Sequence, residues 1–290
     1  MAGKKIRPLS AKELFPDRKT SKSRQKSTLS VKNCRLKEPM PDTTEIIAHR
    51  GSSHLAPENT LASLRLGWQE TTTCELDIHP TLDGKLLVIH DDSTQRTTGI
   101  NFKVAEHPLS ELQQLDAGSF KGAEWKGEKL PSLADALAAM PADKRLYIEI
   151  KAGPAVIPEL ARVIRASGKE GQLLLHSFNS SACVEARKAL PGIPVYLLMV
   201  SRQNLITGLW SPSLDEVLLQ AKQAGLAGLG FNPTAFLNAA TAQRIHAAGL
   251  KLNVWTVDRV DEARQLMALG VDGLITNRPG WLKAQLAGAG

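Results

Sequence analysis

From residue 45 onward the chain repeats one pattern. A short apolar run of strand length is followed by an amphipathic stretch of helical period, then by another apolar run. The strand-like runs are EIIAH, CELDI, LLVIH, LYIEIK, QLLLHSF, VYLLMV, GLGFN, LNVWTV and GLITN. The helix-like stretches between them include NTLASLRLGWQE, SLADALAAM, VIPELARVIRASG and VDEARQLMALG. Strand-then-helix alternation calls for parallel strands joined by helical crossovers. About eight such units in roughly 245 residues predict an α/β fold of the (β/α)8, or TIM barrel, type. A doubly wound open sheet usually carries a glycine-rich phosphate loop after its first strand, and none stands here. Asn59 or Thr60 suits the cap of the first helix and Ser132 that of the second. Gly168, Gly225, Gly249 and Gly270 fall where helices should end. LDGKLL reads as an Asp-Gly turn, a small hairpin interrupting the alternation. Residues 91–130 form a longer connection of the kind that often serves function.

Charge divides the chain. The formal net charge is +7. Residues 1–44 hold twelve Lys/Arg against four Asp/Glu, so the remainder is close to neutral. Two segments follow: a basic, disordered tail over 1–44 and a barrel domain over 45–290. The tail could touch anionic lipid or nucleic acid. It has Ser and Arg in transit-peptide proportion, but its acids and prolines argue against that reading. No apolar run reaches the roughly 18 residues of a membrane span. The start lacks a secretory h-region, and Cys34, Cys74 and Cys183 have no CxxC spacing. A reducing compartment, the cytoplasm, is expected. Nothing in the sequence sets an oligomeric state.

The ends of the apolar runs carry the chemistry. EIIAH leads into His49-Arg50, CELDI carries Glu75 and Asp77, LLVIH ends in His90, and LYIEIK ends in Glu149 and Lys151. Active sites of such barrels lie at the C-terminal ends of the strands. Alternation puts Glu75 and Asp77 on one face, and Tyr147, Glu149 and Lys151 on one face, with the aliphatic residues opposite. Three carboxylates converging on the barrel axis would repel one another. A hard divalent cation, Mg2+ or Ca2+, resolves that conflict through Glu75, Asp77 and Glu149. Arg50 and Lys151 beside it favour an anion, most naturally phosphate. His49 and His90 could then divide the proton work, one accepting and one donating, as a phosphodiester with a poor alkoxide leaving group requires.

Plainer readings stand beside these. Glu149 and Lys151 alone could be an ion pair filling a barrel layer. His54, His79, His107 and His246 are expected outside the chemistry, His176 could line the pocket, and Cys74 should pack outward.

The motifs AHRGSSHLAPENT, ELDIHPTLDGKLLVIHDDSTQRTTG, LYIEIK, HSFN, LNVWTVD and VDGLITNRP, in this order from about residue 46 to 284, resemble the glycerophosphodiester phosphodiesterase family. The resemblance implies a TIM barrel that hydrolyses glycerophosphodiesters to sn-glycerol 3-phosphate and an alcohol. It implies that His49 and His90 are the acid–base pair, that Arg50 holds phosphate with Lys151 supporting the phosphoryl oxygens, and that Glu75, Asp77 and Glu149 bind the metal. It further implies that Trp255 lines the glycerol side and that Phe178 forms an aromatic wall. Pro57-Glu58-Asn59-Thr60 is the family's helix start, with a structural role. The stretch SSHLA is more polar than the family's usual one. A lysophospholipase D or a phosphoinositide-type phosphodiesterase on the same barrel is the rival enzyme, and a non-catalytic binding barrel is the non-enzymatic rival. A lipid substrate would need an apolar rim. The segment GSFKGAEWKGEKLP is mostly polar, so a water-soluble substrate is expected.

Overall fold

In a computed structural model, residues 44–288 are described. All of the expected basic tail but Thr44, including Cys34, lies outside the described residues.

Eight strands close a parallel ring: β1 (Glu45–Ala48), β2 (Thr73–Pro80), β4 (Arg145–Ile150), β5 (Leu173–Ser177), β6 (Val195–Met199), β9 (Gly228–Phe231), β10 (Lys251–Trp255) and β11 (Gly273–Thr276). Each pairs in parallel with the next, and β11 returns to β1. This is the (β/α)8 barrel. The ring is widest in register between β2 and β4, from Thr73↔Arg145 to Ile78↔Ile150. It is narrowest between β1 and β2, where only Ile47↔Thr73 and Ala48↔Cys74 pair.

The helices α1 (Leu61–Glu70), α4 (Leu133–Ala139), α5 (Ile157–Ser167), α6 (Ser180–Ala189), α7 (Leu214–Gln223), α8 (Ala239–Ala247), α9 (Val260–Ala268) and α10 (Pro279–Ala287) follow the ring strands in turn. Short helices α2 (Gln95–Thr98) and α3 (Leu109–Leu112) sit in the connection before α4. Local chemistry sets their limits. Thr60 caps α1 by accepting from the Ser63 N–H, and Ser132 forms a reciprocal capping box with Asp135 on α4. Gly168 ends α5 in the left-handed region, as its lack of a Cβ allows. α5 buries Ile157, Leu160, Ala161 and Ile164, the one-face spacing of an amphipathic helix.

Alternation along the strands separates two interiors. Leu76, Ile78, Leu146, Ile148 and Ile150 face outward into the main core with the helices. Cys74 joins them, as expected, its thiol contacting the Leu64 carbonyl at 3.4 Å. Each large apolar side chain so buried contributes roughly 1.5–3 kcal/mol. Inward, Ile47, Tyr147, Leu174, Tyr196 and Ile275 fill the barrel as a smaller cluster. A Cβ on Gly228 would lie 2.6 Å from the Tyr196 ring, so this inward position must be glycine.

One expected strand is not part of the ring. LLVIH forms β3 (Leu86–Val88), antiparallel to β2 through Pro80↔Leu86 and Ile78↔Val88. The Asp-Gly turn joins the two, so the hairpin reading of LDGKLL holds. A second hairpin, β7 (Arg202–Gln203) with β8 (Trp210–Ser211), follows β6. Among the described residues no helix is long and apolar enough to cross a membrane.

Candidate active site

At the C-terminal mouth of the ring lies a cavity of about 110 Å3, lined by His49, Arg50, Glu75, His90, Glu149, Lys151, Phe178 and Trp255 together with His176, Leu198, Thr256 and Ile275. Every residue singled out in the sequence except Asp77 lines it. Larger hollows elsewhere have no such set of ionisable groups. Asp77, fully buried, stands beside it, paired with the lining residues Arg50 and Lys151.

Strand geometry delivers these side chains by different routes. Glu75 and Asp77 share a face of β2, and the register sets Asp77 beside Glu149 and Glu149 beside His176. His49 continues the inward face of Ile47. Simple alternation would then turn Arg50 away. Arg50 instead adopts φ 56°, and Gly51 follows at 78°, a left-handed turn that swings the guanidinium back over the mouth. The Arg50 N–H donates to Glu75 Oε2 at 3.0 Å, which steadies that turn. His90 does not end a ring strand. β2 runs past the mouth and β3 descends beside it, so His90 is carried back down to the level of the acids. The Ile89 N–H donates to the Asp77 carbonyl at 3.0 Å.

Hydrogen bonds fix both imidazoles. Asn277 donates through Nδ2 to Asp258 at 2.6 Å, so its Oδ1 faces His49 Nδ1 at 2.7 Å. Oδ1 only accepts, which puts the proton on Nδ1 and leaves Nε2 free. His90 Nδ1 lies 2.7 Å from Asp91 Oδ1, leaving its Nε2 free as well. Burial lowers the pKa of both rings.

The acids divide by their partners. Asp77 is held by Lys151 Nζ at 2.9 Å and Arg50 Nε at 3.3 Å. Asn59 clamps it too, its Nδ2 donating at 2.8 Å while the Asp77 N–H donates back at 3.2 Å. Burial opposes the charge of Asp77, yet Lys151 and Arg50 hold its carboxyl well below the usual range. Glu75 and Glu149 are pushed up to about 7, first by burial and then by the charge of Asp77. Lys151 also bonds Glu149.

The structure adds a candidate to the expected metal ligands. Glu75, Glu149 and His176 each offer a ligand atom, all within 4.8 Å of one another, while Asp77 stands outside that group in the grip of Lys151 and Asn59. Glu75 Oε1 and His176 Nε2 are buried without a hydrogen-bond partner among the described residues. Burial lowers His176 to about 4, so its nitrogen is neutral. Two crowded carboxylates beside a neutral imidazole suit a divalent cation.

Several contributors were not singled out in the sequence. Glu58 and Asn59, read as a helix start, reach the site: Glu58 accepts from Arg50 Nη1 at 2.8 Å. Arg96 joins Glu58 to Asp91. Asp91 was legible as the neighbour of His90. The partnership of Asn277 with His49 spans most of the chain and left no local signal. His79 contacts the His90 carbonyl rather than the cavity, and His107 and His246 pair with Glu111 and Asp272. Phe178 and Trp255 meet edge to face, centroids 5.3 Å apart, as one wall.

The rim also departs from expectation. The connection after β3 is polar at the segment expected, but the β7–β8 hairpin, absent from the sequence reading, carries exposed Leu205, Ile206 and Leu209.

Comparison with known proteins places this geometry. The profile of the glycerophosphoryl diester phosphodiesterase family matches residues 49–281. A glycerophosphodiester phosphodiesterase of Caldanaerobacter subterraneus is 32% identical over 242 residues, covering 81% of this chain and 95% of that protein. A lysophospholipase D of Mus musculus is 25% identical over 269 residues, covering 82% and 84%. The solved structure of an Oleispira antarctica phosphodiesterase, in complex with the product sn-glycerol-3-phosphate, superposes with a TM-score of 0.73 at 31% identity, covering 84% of this chain and 96% of that one.

Proposed function

The chain belongs to the glycerophosphoryl diester phosphodiesterase family and is a phosphoric diester hydrolase, and from that premise we propose that it cleaves glycerophosphodiesters to sn-glycerol 3-phosphate and an alcohol by paired-histidine catalysis. The observation that carries the reading is the meeting of two oriented imidazoles, Arg50, Lys151 and the buried acids in one small cavity.

In this reading Arg50 and Lys151 take the phosphoryl oxygens in place of part of their hold on Asp77. One imidazole accepts through Nε2 the proton of the attacking hydroxyl as the new P–O bond forms. The other, carried as a doubly protonated imidazolium, donates its Nε2 proton to the alkoxide as the old P–O bond breaks. Burial lowers the pKa of both rings, which suits the acceptor, and the anionic substrate beside the other raises its affinity for the second proton it must carry. Glu75, Asp77 and Glu149, with His176 aimed at the same spot, would hold Mg2+ or Ca2+, which when bound stabilises the charge building on the phosphoryl oxygens. Phe178 and Trp255 form the wall against which the glycerol rests. Residues 45–290 are the catalytic unit. The two described cysteines, both buried free thiols, fit a cytoplasmic place of action.

The attacking hydroxyl is either water or the glycerol 2-hydroxyl, the latter passing through a cyclic phosphate. Turnover of glycerophosphocholine with and without EDTA, with the product resolved for cyclic phosphate, tests the proposal. Release of choline that EDTA abolishes is expected. No release at any divalent concentration would overturn it.

A further inference from the structure

After β6 reaches the rim, the chain does not pass directly into α7 but rises into the β7–β8 hairpin. Its tip is a built turn. Asn204 accepts through Oδ1 from the N–H groups of Ile206 and Thr207 at 2.9 and 3.0 Å, and its own N–H donates to the Leu209 carbonyl at 2.8 Å. This frame holds Leu205, Ile206 and Leu209 outward, 96%, 95% and 70% exposed. At the hairpin's base Trp210 is half-buried, edge to face with Phe236.

The apolar surface is not scattered. Val200, at the foot of the hairpin, and Phe178, which lines the cavity, are also exposed, on the ends of neighbouring strands. Leu55, Leu82, Ile100 and Phe120 lie in other connections that leave the same mouth. Among the described residues, only Leu219 and Trp281 of the exposed large apolar side chains sit on outer helices. Charge agrees: from Val200 to Ser213 there is one basic residue, Arg202, and no acid. The approach to a phosphate-bearing surface is unopposed.

We propose that the β7–β8 hairpin is a lipid-insertion element, its tip entering the apolar layer of a phospholipid surface so that the cavity mouth meets the headgroup layer. Leu205, Ile206 and Leu209 dominate the narrow tip, and its exposed polar side chains, Asn204 and Thr207, turn their oxygens to N–H groups of the turn itself, a form for a fluid layer rather than for a shaped protein surface. A phosphodiester held in such a surface, the substrate of the rival enzyme reading, is what this placement adds to the reach of the cavity. That addition rests on the phosphodiesterase reading of the cavity.

The test compares the full chain with the triple variant Leu205→Ser, Ile206→Ser, Leu209→Ser. Zwitterionic phosphatidylcholine vesicles at physiological salt keep the basic N-terminal segment from dominating. Sedimentation should show the wild type bound and the variant at least tenfold weaker. Lysophosphatidylcholine turnover should fall with it, while glycerophosphocholine turnover stays unchanged, which also shows that the variant folds. A single Leu205→Trp variant should show a blue-shifted emission on vesicles. Equal sedimentation of wild type and variant, or no blue shift, would overturn the proposal. So would self-association lost in the variant without vesicle binding, which would assign the tip to a second copy of the chain. Failure of glycerophosphocholine turnover in the wild type would instead remove the phosphodiesterase reading.

Discussion

Arg96 and Glu58 face each other through two parallel hydrogen bonds, of 2.7 and 2.8 Å. The same guanidinium donates through Nε to Asp91 at 2.6 Å, and the same carboxylate accepts from Arg50. His90 and Arg50, which come from different connections, are thereby fixed by one chain of ionic contacts. Arg96→Lys keeps the charge but not the planar fork. Its kcat on glycerophosphocholine should fall roughly tenfold or more, because misplacement of the imidazole costs orientation. Steady-state kinetics check this, and an unchanged kcat would detach Arg96 from the site.

The histidine roles give the largest expected losses. His49→Ala and His90→Ala should each lower kcat on the order of 10²-fold or more, with the fold intact by circular dichroism. Near wild-type turnover in either would remove the acid–base assignment.

Asn277 sets the tautomer of His49 through one contact. Asn277→Leu frees the ring to protonate the wrong nitrogen. A loss of about tenfold or more in kcat, with KM little changed, is expected.

Metal affinity should depend on pH with a definite sign. Glu75 and Glu149 are raised to about 7, so below that pH protonation competes with metal at these carboxylates. A cation must displace those protons. Mg2+ or Ca2+ affinity should change little from pH 8 to 7 and weaken below about 7, approaching tenfold per unit for each carboxylate that must ionise. Isothermal titration in buffers of different ionisation enthalpy should also register proton release. Affinity independent of pH would contradict the placement of the ion between these acids.

The capping box of α4 gives a stability control. Ser132→Ala should cost about 1 kcal/mol and lower Tm by roughly 2–4 °C. Neither Ser132 nor any residue of the helix lines the cavity, so kcat should hold.

Much of this was legible in the sequence because strand period and strand ends are local properties. Alternation alone puts Glu75 with Asp77 and Glu149 with Lys151, and the Asp-Gly turn announces the hairpin. What escaped depends on partners distant in the chain or on backbone conformation. The left-handed turn at Arg50 overrides alternation. Asn59 reaches Asp77 from the connection after the neighbouring strand β1, and Asn277 meets His49 from the opposite end of the chain. LLVIH has the composition of a ring strand, and only its pairing with β2 shows that it runs the other way. Even so, His90 arrives at the mouth, because β2 overshoots by the length over which β3 returns. The β7–β8 hairpin leaves no mark in the sequence because two-residue strands have no period to detect.

The two-rung seam between β1 and β2 has a mechanical consequence. With so little ladder there, the barrel is laced at this point by the backbone of Arg50 and Gly51 tied to Glu75. Glu75 is thus both clasp and proposed metal ligand. Whatever loosens the staves there also dismantles the pocket, so the enzyme cannot begin to unroll at its weakest joint and remain able to turn over.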